Sequence, residues 1–459
     1  MAHETTSLIG RPDLDEGDKE FTSPVWEEIT TLAKSSTWLV LVSYLQYSLP
    51  LTGLFFVGRL GTDELGAVSL GASITSITAY GVHQGLCSGM DTLCPLAHGS
   101  KRPDLAALYL QLTLVLLLMV TAVVGVAWWN SHAILQMLVS PNIAILTSRY
   151  LRVTLLGLPG HAAFETGKRF VNAQGIFNAP TYVLICVVPI NIALHWLFVY
   201  KLEWGFIGAP LAAAISDTTL AAGLLVSASV FGVGWQLWPG LSFIVEWSHW
   251  RTLLRLAIPG SVTVLAEFLT FELLTLWAGK INDISLAAES VLNAAVAVAL
   301  QLPFSLGNSV SLRVATLMGQ KRPRETKIQI QVAFTAALFL GIINMATLMI
   351  TRGWISRQLS TSNDVQELVI KTIPVCAILQ ILYSLGECSN GVMKGLKMQR
   401  TAGIISLICH YTIAIPTSFA TALLLHWGLA GLWLGPVIGM TMFTTSALYC
   451  IKKQGFSAV

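Results

Sequence analysis

Residues 99–104 read GSKRPD, and residues 319–324, 220 positions later (319 − 99 = 220), read GQKRPR. Each string follows one long apolar stretch and precedes another. Working outward, GRLGTDELGAV from Gly58 lies over GKINDISLAAE from Gly279, and WGFIG from Trp204 lies over WGLAG from Trp427. One duplicated unit therefore makes up nearly all of the 459 residues. In an apolar chain, such a duplication points to two pseudo-symmetric halves that move against each other.

Composition sets the solvent. With 54% hydrophobic and only 11% charged residues, there is too little polar surface to cover a soluble globule of this length. Apolar runs of about 20 residues, enough to cross about 30 Å of hydrocarbon, recur twelve times. In the first half they fall at 36–57, 66–92, 105–129, 145–167, 180–200 and 206–231. In the second they fall at 253–278, 286–312, 328–350, 366–391, 402–425 and 428–450. The runs are continuous rather than alternating, and only a helix satisfies every backbone group within one segment. The expected fold is all-α and integral to the membrane, about twelve transmembrane helices in two six-helix lobes.

The expected organisation is a polar, acidic, disordered tail at 1–34, an N-lobe at 35–232, a linker at 233–252, a C-lobe at 253–452 and a short tail at 453–459. No signal peptide is evident in the first residues. With the N-terminus placed in the cytosol, the segments on that side carry 19 of the 27 Lys and Arg and the opposite segments carry 8 (19 + 8 = 27). That distribution satisfies the positive-inside rule with both termini cytosolic. A net charge of +3 without a basic face or an aromatic platform excludes a nucleic-acid partner.

The seven cysteines lie in or at the ends of spans with no CxxC spacing, and they read as small buried apolar residues. The nine histidines form no HExxH pair, so no metal site is expected. No P-loop string occurs, which removes ATP as the energy source on this chain and leaves an ion gradient, with no bound cofactor. An integral-membrane enzyme would need His, Asp or Ser motifs clustered at one membrane face, and none occurs.

The acids inside the spans carry the functional reading. An ionised carboxylate at a helix centre costs about 2.5–3.5 kcal/mol on insertion scales, so such a group faces a cavity, pairs, or carries protons. The seventh run, IPGSVTVLAEFLTFELL from Ile258, holds Glu267 and Glu272. Thr263, Glu267 and Thr270 share one helical face, and Glu272 sits about 140° round at 100° per residue. Glu165 has His161 four positions before it and Lys168 and Arg169 three and four after, so it either pairs along its own helix or faces a cavity. Glu387 heads a stripe with Ser384, Asn390 and Lys394. Asp91 reads as a solvated or capping group, Asp217 is unassigned, and Glu289 stands near the outer end of the eighth span with Asn293 one turn below. Pro50, Pro189, Pro259, Pro303 and Pro416 mark places where spans can bend.

Four strings together resemble the multidrug and toxic compound extrusion (MATE) family: GRLGTDELGA from Gly58, GLCSGMDTLCPLAHGSKR from Gly85, FETGKRFVNAQGIFNAP from Phe164 and the seventh run with its two glutamates. The likeness covers about residues 30–450 and is similar to the eukaryotic, fungal-type branch. It implies a two-lobed antiporter that exports organic cations, drugs or toxic metabolites against inward H⁺ or Na⁺. Within it the coupling acid transfers to Glu267 and a second acid to Glu272. The repeat places Gln46 opposite Glu267 (267 − 221 = 46). Two departures stand out: Leu96 replaces a usual Gln, and Tyr383 aligns with a usual tenth-helix acid, for which Glu387, one turn on, is a replacement. The candidate substrate contacts are then Gln46, Glu165, Asn191, Thr263, Thr270, Asn293, Tyr383 and Glu387.

A carboxyl in an apolar lobe resists ionisation, so it can hold a proton and release it where water enters. H⁺ is preferred to Na⁺ because Gln46, not an acid, faces Glu267, and sodium wants several charged oxygen ligands. A lipid flippase would want a basic cavity, whereas the intramembrane charges here are mostly acids. The string ETTSLI at 4–9 resembles an acidic dileucine sorting signal, which sets the vacuolar membrane beside the plasma membrane as the location. A monomer suffices for two lobes.

Overall fold

A computed structural model describes residues 25–58, 60–137, 139–230, 232 and 246–455. Its spans are α1 Val25–Val57, α2 Asp63–Gly99, α3 Pro103–Trp129, α4 in two pieces (Pro141–Thr154 and Leu158–Ala173), α5 Asn178–Lys201 and α6 Gly205–Val230. The second half repeats them as α7 Trp247–Ile281, α8 Asp283–Gly319, α9 Pro323–Leu359, α10 Asn363–Gly395, α11 Gln399–Leu424 and α12 Gly428–Lys453. No strand occurs among the described residues.

Eleven of these helices are long and apolar enough to cross a membrane. The fourth run, read as continuous from sequence, is broken. Leu156 N–H donates to Val153 and Gly157 N–H to Thr154 at 3.1 and 2.9 Å, tight turns that end the first piece. Pro159 then sits in the first turn of the second piece, where a missing N–H costs nothing. Gly157 lets the break pack on α6: a Cβ there would stand 2.6 Å from the Ala214 Cα.

The first helix also starts earlier than read. Val25–Lys34, assigned to the tail, are helical because they have something to bind: Glu28 is fully buried against Arg313 of α8, and Leu32 joins the core of the second half. The remainder of the tail, the ETTSLI string, linker positions 233–245 and positions 456–459 lie outside the described residues. Trp247 to Thr252, read as linker, open α7, and Lys453, read as tail, closes α12.

Within the first half α1 packs on α5, α4 on α6 and α2 on α4; within the second α8 packs on α10, α10 on α9 and α12, and α7 on α11. The halves meet through α2 with α8 and through the related pairs α1 with α8 and α7 with α2. Small residues make these crossings close. Ser35 and Ser43 of α1 hydrogen-bond Ser309 and Ser305 of α8 at 2.5 and 2.9 Å, and a Cβ on Gly85 of α2 would stand 2.5 Å from the Ser261 Cα of α7.

The connections at the repeat-string end share one turn. After α2, Lys101 N–H bonds His98 O and Arg102 N–H bonds Ala97 O; after α8, Lys321 bonds Met318 and Arg322 bonds Leu317. After α10, Lys397 bonds Lys394 and Met398 bonds Met393. Each is a Schellman turn with the residue after its C-cap, the second past the helix, in the left-handed region: Lys101 at φ 56°, Lys321 at 57° and Lys397 at 61°. The equivalent turn after α4 uses Gly175, at φ 81°.

Candidate functional site

Between the two halves lies a cavity of about 440 Å³. Its first wall is built by Gln46 and Tyr47 of α1, Tyr80, Gln84 and Asp91 of α2, and His161, Glu165, Lys168, Arg169 and Asn172 of α4. The second wall is Glu267, Phe268, Phe271 and Glu272 of α7, Asn293, Gln301, Phe304 and Asn308 of α8, and Tyr383 of α10. A π-helical turn, Ser76–Tyr80, interrupts α2 beside the cavity and carries Ser76, Ile77 and Tyr80 into its wall. Such turns recur at functional sites.

On the first wall every acid is held. Lys168 Nζ bonds Glu165 Oε1 at 2.7 Å and Gln46 Oε1 at 2.8 Å, while Gln46 Nε2 donates to Glu165 Oε1 at 2.6 Å. Arg169 bridges Glu165 Oε2 and Asp91 Oδ1, the latter at 3.0 Å. Two cations thus offset two carboxylates in a part-buried cluster, the arrangement such charges need in the membrane. Behind it, Tyr80 stacks on His161 with ring centroids 4.2 Å apart and donates its hydroxyl to Asp217 at 3.2 Å.

The second wall is different. Glu267 faces the cavity half-buried, with no hydrogen bond or close ion pair among the described residues. It interacts electrostatically with Glu387 and Lys394, both buried on α10, and Glu387 in turn feels Lys394 and lies one turn before Asn390. Glu272 lies beside Ser73 of α2, in the other half. Around these acids stand Phe268, Phe271, Phe304 and Tyr383, and the Tyr383 hydroxyl is buried without a hydrogen-bond partner among the described residues.

Of the residues singled out by sequence, the cavity collects Gln46, Glu165, Glu267, Glu272, Asn293 and Tyr383. Gln46 does not reach toward Glu267; its amide is taken by Glu165 and Lys168. Four others do not line it. Asn191 is buried inside the first half and donates to Ser216 Oγ at 2.8 Å, because α5 turns that face to α6. Thr263 and Thr270 are buried and return their hydroxyls to the Pro259 and Ala266 carbonyls four residues back. Glu387 is buried one turn beyond Tyr383, where α8 and α10 touch: Gly307 has no room for a Cβ beside the Glu387 carbonyl.

Three acids left open by sequence find places. Asp91, read as solvated or capping, is buried on the cavity wall because Arg169 reaches it. Asp217 sits behind Tyr80. Glu289 is fully buried in the second half, accepting from Trp433 Nε1 at 2.7 Å, with its other oxygen unpartnered among the described residues. The cavity's charges are mostly acids, as sequence suggested, with Asp91, Glu165, Glu267 and Glu272 set against Lys168 and Arg169.

Beyond Gln46, Asn293 and Tyr383, the sequence reading missed the aromatic and amide lining, among it Tyr47, Gln84, Phe268, Phe271, Gln301, Phe304 and Asn308. A signal existed on α8, where Asn293, Ala297, Leu300, Gln301, Phe304 and Asn308 repeat at helical spacing on one face. Among the described residues no group of His, Cys, Asp or Glu could hold a metal ion, and all seven cysteines are free thiols.

The MatE family profile matches residues 39–197 and 259–420, one stretch in each half. An uncharacterized transporter of Schizosaccharomyces pombe is 34% identical over 89% of this chain and 76% of its own length. An uncharacterized transporter of Saccharomyces cerevisiae is 33% identical over 94% of this chain, which spans 63% of that protein. Multidrug and toxin extrusion protein 2 of Mus musculus is 26% identical over 95% of this chain and 76% of its own. Among solved structures, the eukaryotic MATE transporter AtDTX14 superposes with a TM-score of 0.89 at 22% identity, covering 94% of this chain and 97% of that one.

Proposed function

Because the chain belongs to the MatE family of membrane transporters, we propose that it is a secondary active antiporter exchanging organic cations, drugs or toxic metabolites for protons, with Glu267 as the coupling acid. The observation that carries this reading is the contrast between the two walls. Lys168 and Arg169 hold Glu165 and Asp91, the acids of the first wall, while Glu267 meets the cavity with no such partner among the described residues.

Charge arithmetic supplies the coupling. With both carboxyls ionised, Glu267, Glu387 and Lys394 sum to −1 (−1 − 1 + 1 = −1), and these three feel one another. One proton or one monovalent cation brings the sum to zero. Where water is scarce, uncompensated charge is costly, so the two occupants exclude each other. Proton entry on the acidic side then expels the cation, and proton loss toward the cytosol restores its site. Phe268, Phe271, Phe304, Tyr47 and Tyr383 offer faces to a flat or quaternary cation. Glu272, beside Ser73 of the other half, is a second proton acceptor where the halves separate. In this reading both termini are cytosolic, and the membrane is the vacuolar or the plasma membrane.

The test is uptake of a fluorescent organic cation by purified protein in liposomes, under a pH gradient and then a Na⁺ gradient. Uptake that follows pH and collapses in Glu267→Gln, with thermal unfolding unchanged, is the expected result. Uptake driven by Na⁺ alone, or surviving the substitution, overturns proton coupling at Glu267.

A further inference from the structure

We propose that the seam between the halves, at the end of the two repeat strings, holds a phosphate-group site bridged by Lys101 of the first half and Arg322 of the second. A cavity of about 640 Å³ lies there, apart from the transport cavity. Its polar lining is His98 and Lys101 at the end of α2, Gln174 after α4, and Gln320 and Arg322 after α8; among the described residues no carboxylate lines it. Five side chains able to donate, two of them permanently cationic, converge from three loops. That is the set a compact, many-oxygened dianion takes up, with a guanidinium fork and an ammonium as its charged partners.

Lys101 occupies the left-handed position of its turn, as Lys321 and Lys397 do in theirs, a position that the neighbouring loop fills with Gly175. The Lys101 side chain has no hydrogen bond or ion pair among the described residues, whereas Arg102 is engaged with Asp104 at 3.1 Å and Arg322 pairs with Glu325 at 3.9 Å. The second half does not repeat the arrangement, since the counterpart of Gln174 is Leu396, buried in the core.

The ligand chemistry is a phosphate group, carried by an anionic lipid headgroup or by a soluble phosphate compound. Both halves contribute to the site, so an occupant favours the conformation in which the seam is closed and slows the exchange between cavity-facing states.

The test uses full-length protein in nanodiscs of pure phosphatidylcholine, with inorganic pyrophosphate titrated in, and in nanodiscs that also contain phosphatidylinositol phosphate. The readout is thermal unfolding. Lys101→Gly is the decisive variant: it relaxes the turn while removing the ammonium, so without probe it unfolds no earlier than the native chain. A rise in unfolding temperature with pyrophosphate, or with the phosphoinositide alone, supports the site and identifies the source. In either case Lys101→Gly and Arg322→Gln each weaken the apparent affinity about fivefold, as loss of one cation near an anionic group does. No shift with either probe, or an equal shift in the native chain and both variants, overturns the proposal.

Discussion

Gly99 and Gly319, the residues that open the two repeat strings, touch each other across the seam: a Cβ on Gly99 would stand 3.2 Å from the Gly319 Cα, and a Cβ on Gly319 3.1 Å from the Gly99 Cα. Ser100 Oγ seals the contact by donating to the Gly319 carbonyl at 3.2 Å. The duplication therefore lays its two copies on one another at the point where α2 and α8 cross, and this crossing must part whenever the halves exchange which side the cavity faces.

Gly99→Ala is accordingly expected to shift the conformational equilibrium rather than unfold the protein. The added methyl also runs into the Thr316 carbonyl, a rigid neighbour that moves only with the other half. Overpacking of this kind costs about 1–3 kcal/mol, roughly 5- to 150-fold in population. Spin labels on the ends of α2 and α8 should report a longer distance, with little change in unfolding temperature. Gly391→Ala is the contrast: its Cβ would meet the Gly307 backbone within one half, so it should lower the unfolding temperature and leave the label distance alone.

How far the sequence could be read follows from what each signal depends on. The duplication, the number of spans and the buried acids were legible because they need only period and charge. The break in α4 was not, because it is set by Gly157 meeting Ala214 of a distant helix. The first turns of α1 looked like an acidic tail for a similar reason: Glu28 is explained only by Arg313, 285 positions away (313 − 28 = 285). At the site, Glu267 stood out as an acid in an apolar run, whereas Thr263, on the same helical face, returns its hydroxyl to its own helix. Helical spacing gives the face, but not which helix covers it.

Charge arithmetic on α7 and α10 predicts a rescue. Glu387→Gln leaves Glu267 and Lys394 summing to zero, so it should lose pH-driven cation uptake as fully as Glu267→Gln does. Adding Lys394→Met to Glu387→Gln returns the sum to −1 and should restore uptake in part. Proton-driven uptake assays of the two single variants and the double variant decide it: a double variant no better than Glu387→Gln would show that Lys394 acts by packing, not by charge.

The cluster on the first wall is expected to matter for stability more than for coupling. Glu165 accepts from Lys168, Arg169 and Gln46 at once. Removing one partner of a buried pair costs about 3–5 kcal/mol because the remaining charge is uncompensated. Glu165→Gln should therefore unfold earlier, and Lys168→Met in that background should recover part of the loss, while uptake per folded molecule still follows the pH gradient.

The Glu28–Arg313 pair joins the halves on the seam side, so its strength bears on turnover. Glu28 is fully buried and the Arg313 side chain is 26% exposed, with Arg313 Nε donating to Glu28 Oε2 at 2.9 Å. An apolar pair of similar volume is often as stable as a buried ion pair, or more so. The difference appears on opening: separated charges are rehydrated, whereas separated apolar faces are exposed to water at a cost of about 25 cal/mol per Å². Glu28→Leu with Arg313→Met should thus keep the seam closed longer, slowing turnover while leaving the affinity for the organic cation unchanged. Glu28→Ala alone strands the arginine and should open the seam more often, in the same direction as Gly99→Ala. Turnover in liposomes and label distances across α1 and α8 measure both effects; a double variant that turns over faster than the native chain would mean that the ion pair, rather than apolar contact, is what holds the seam shut.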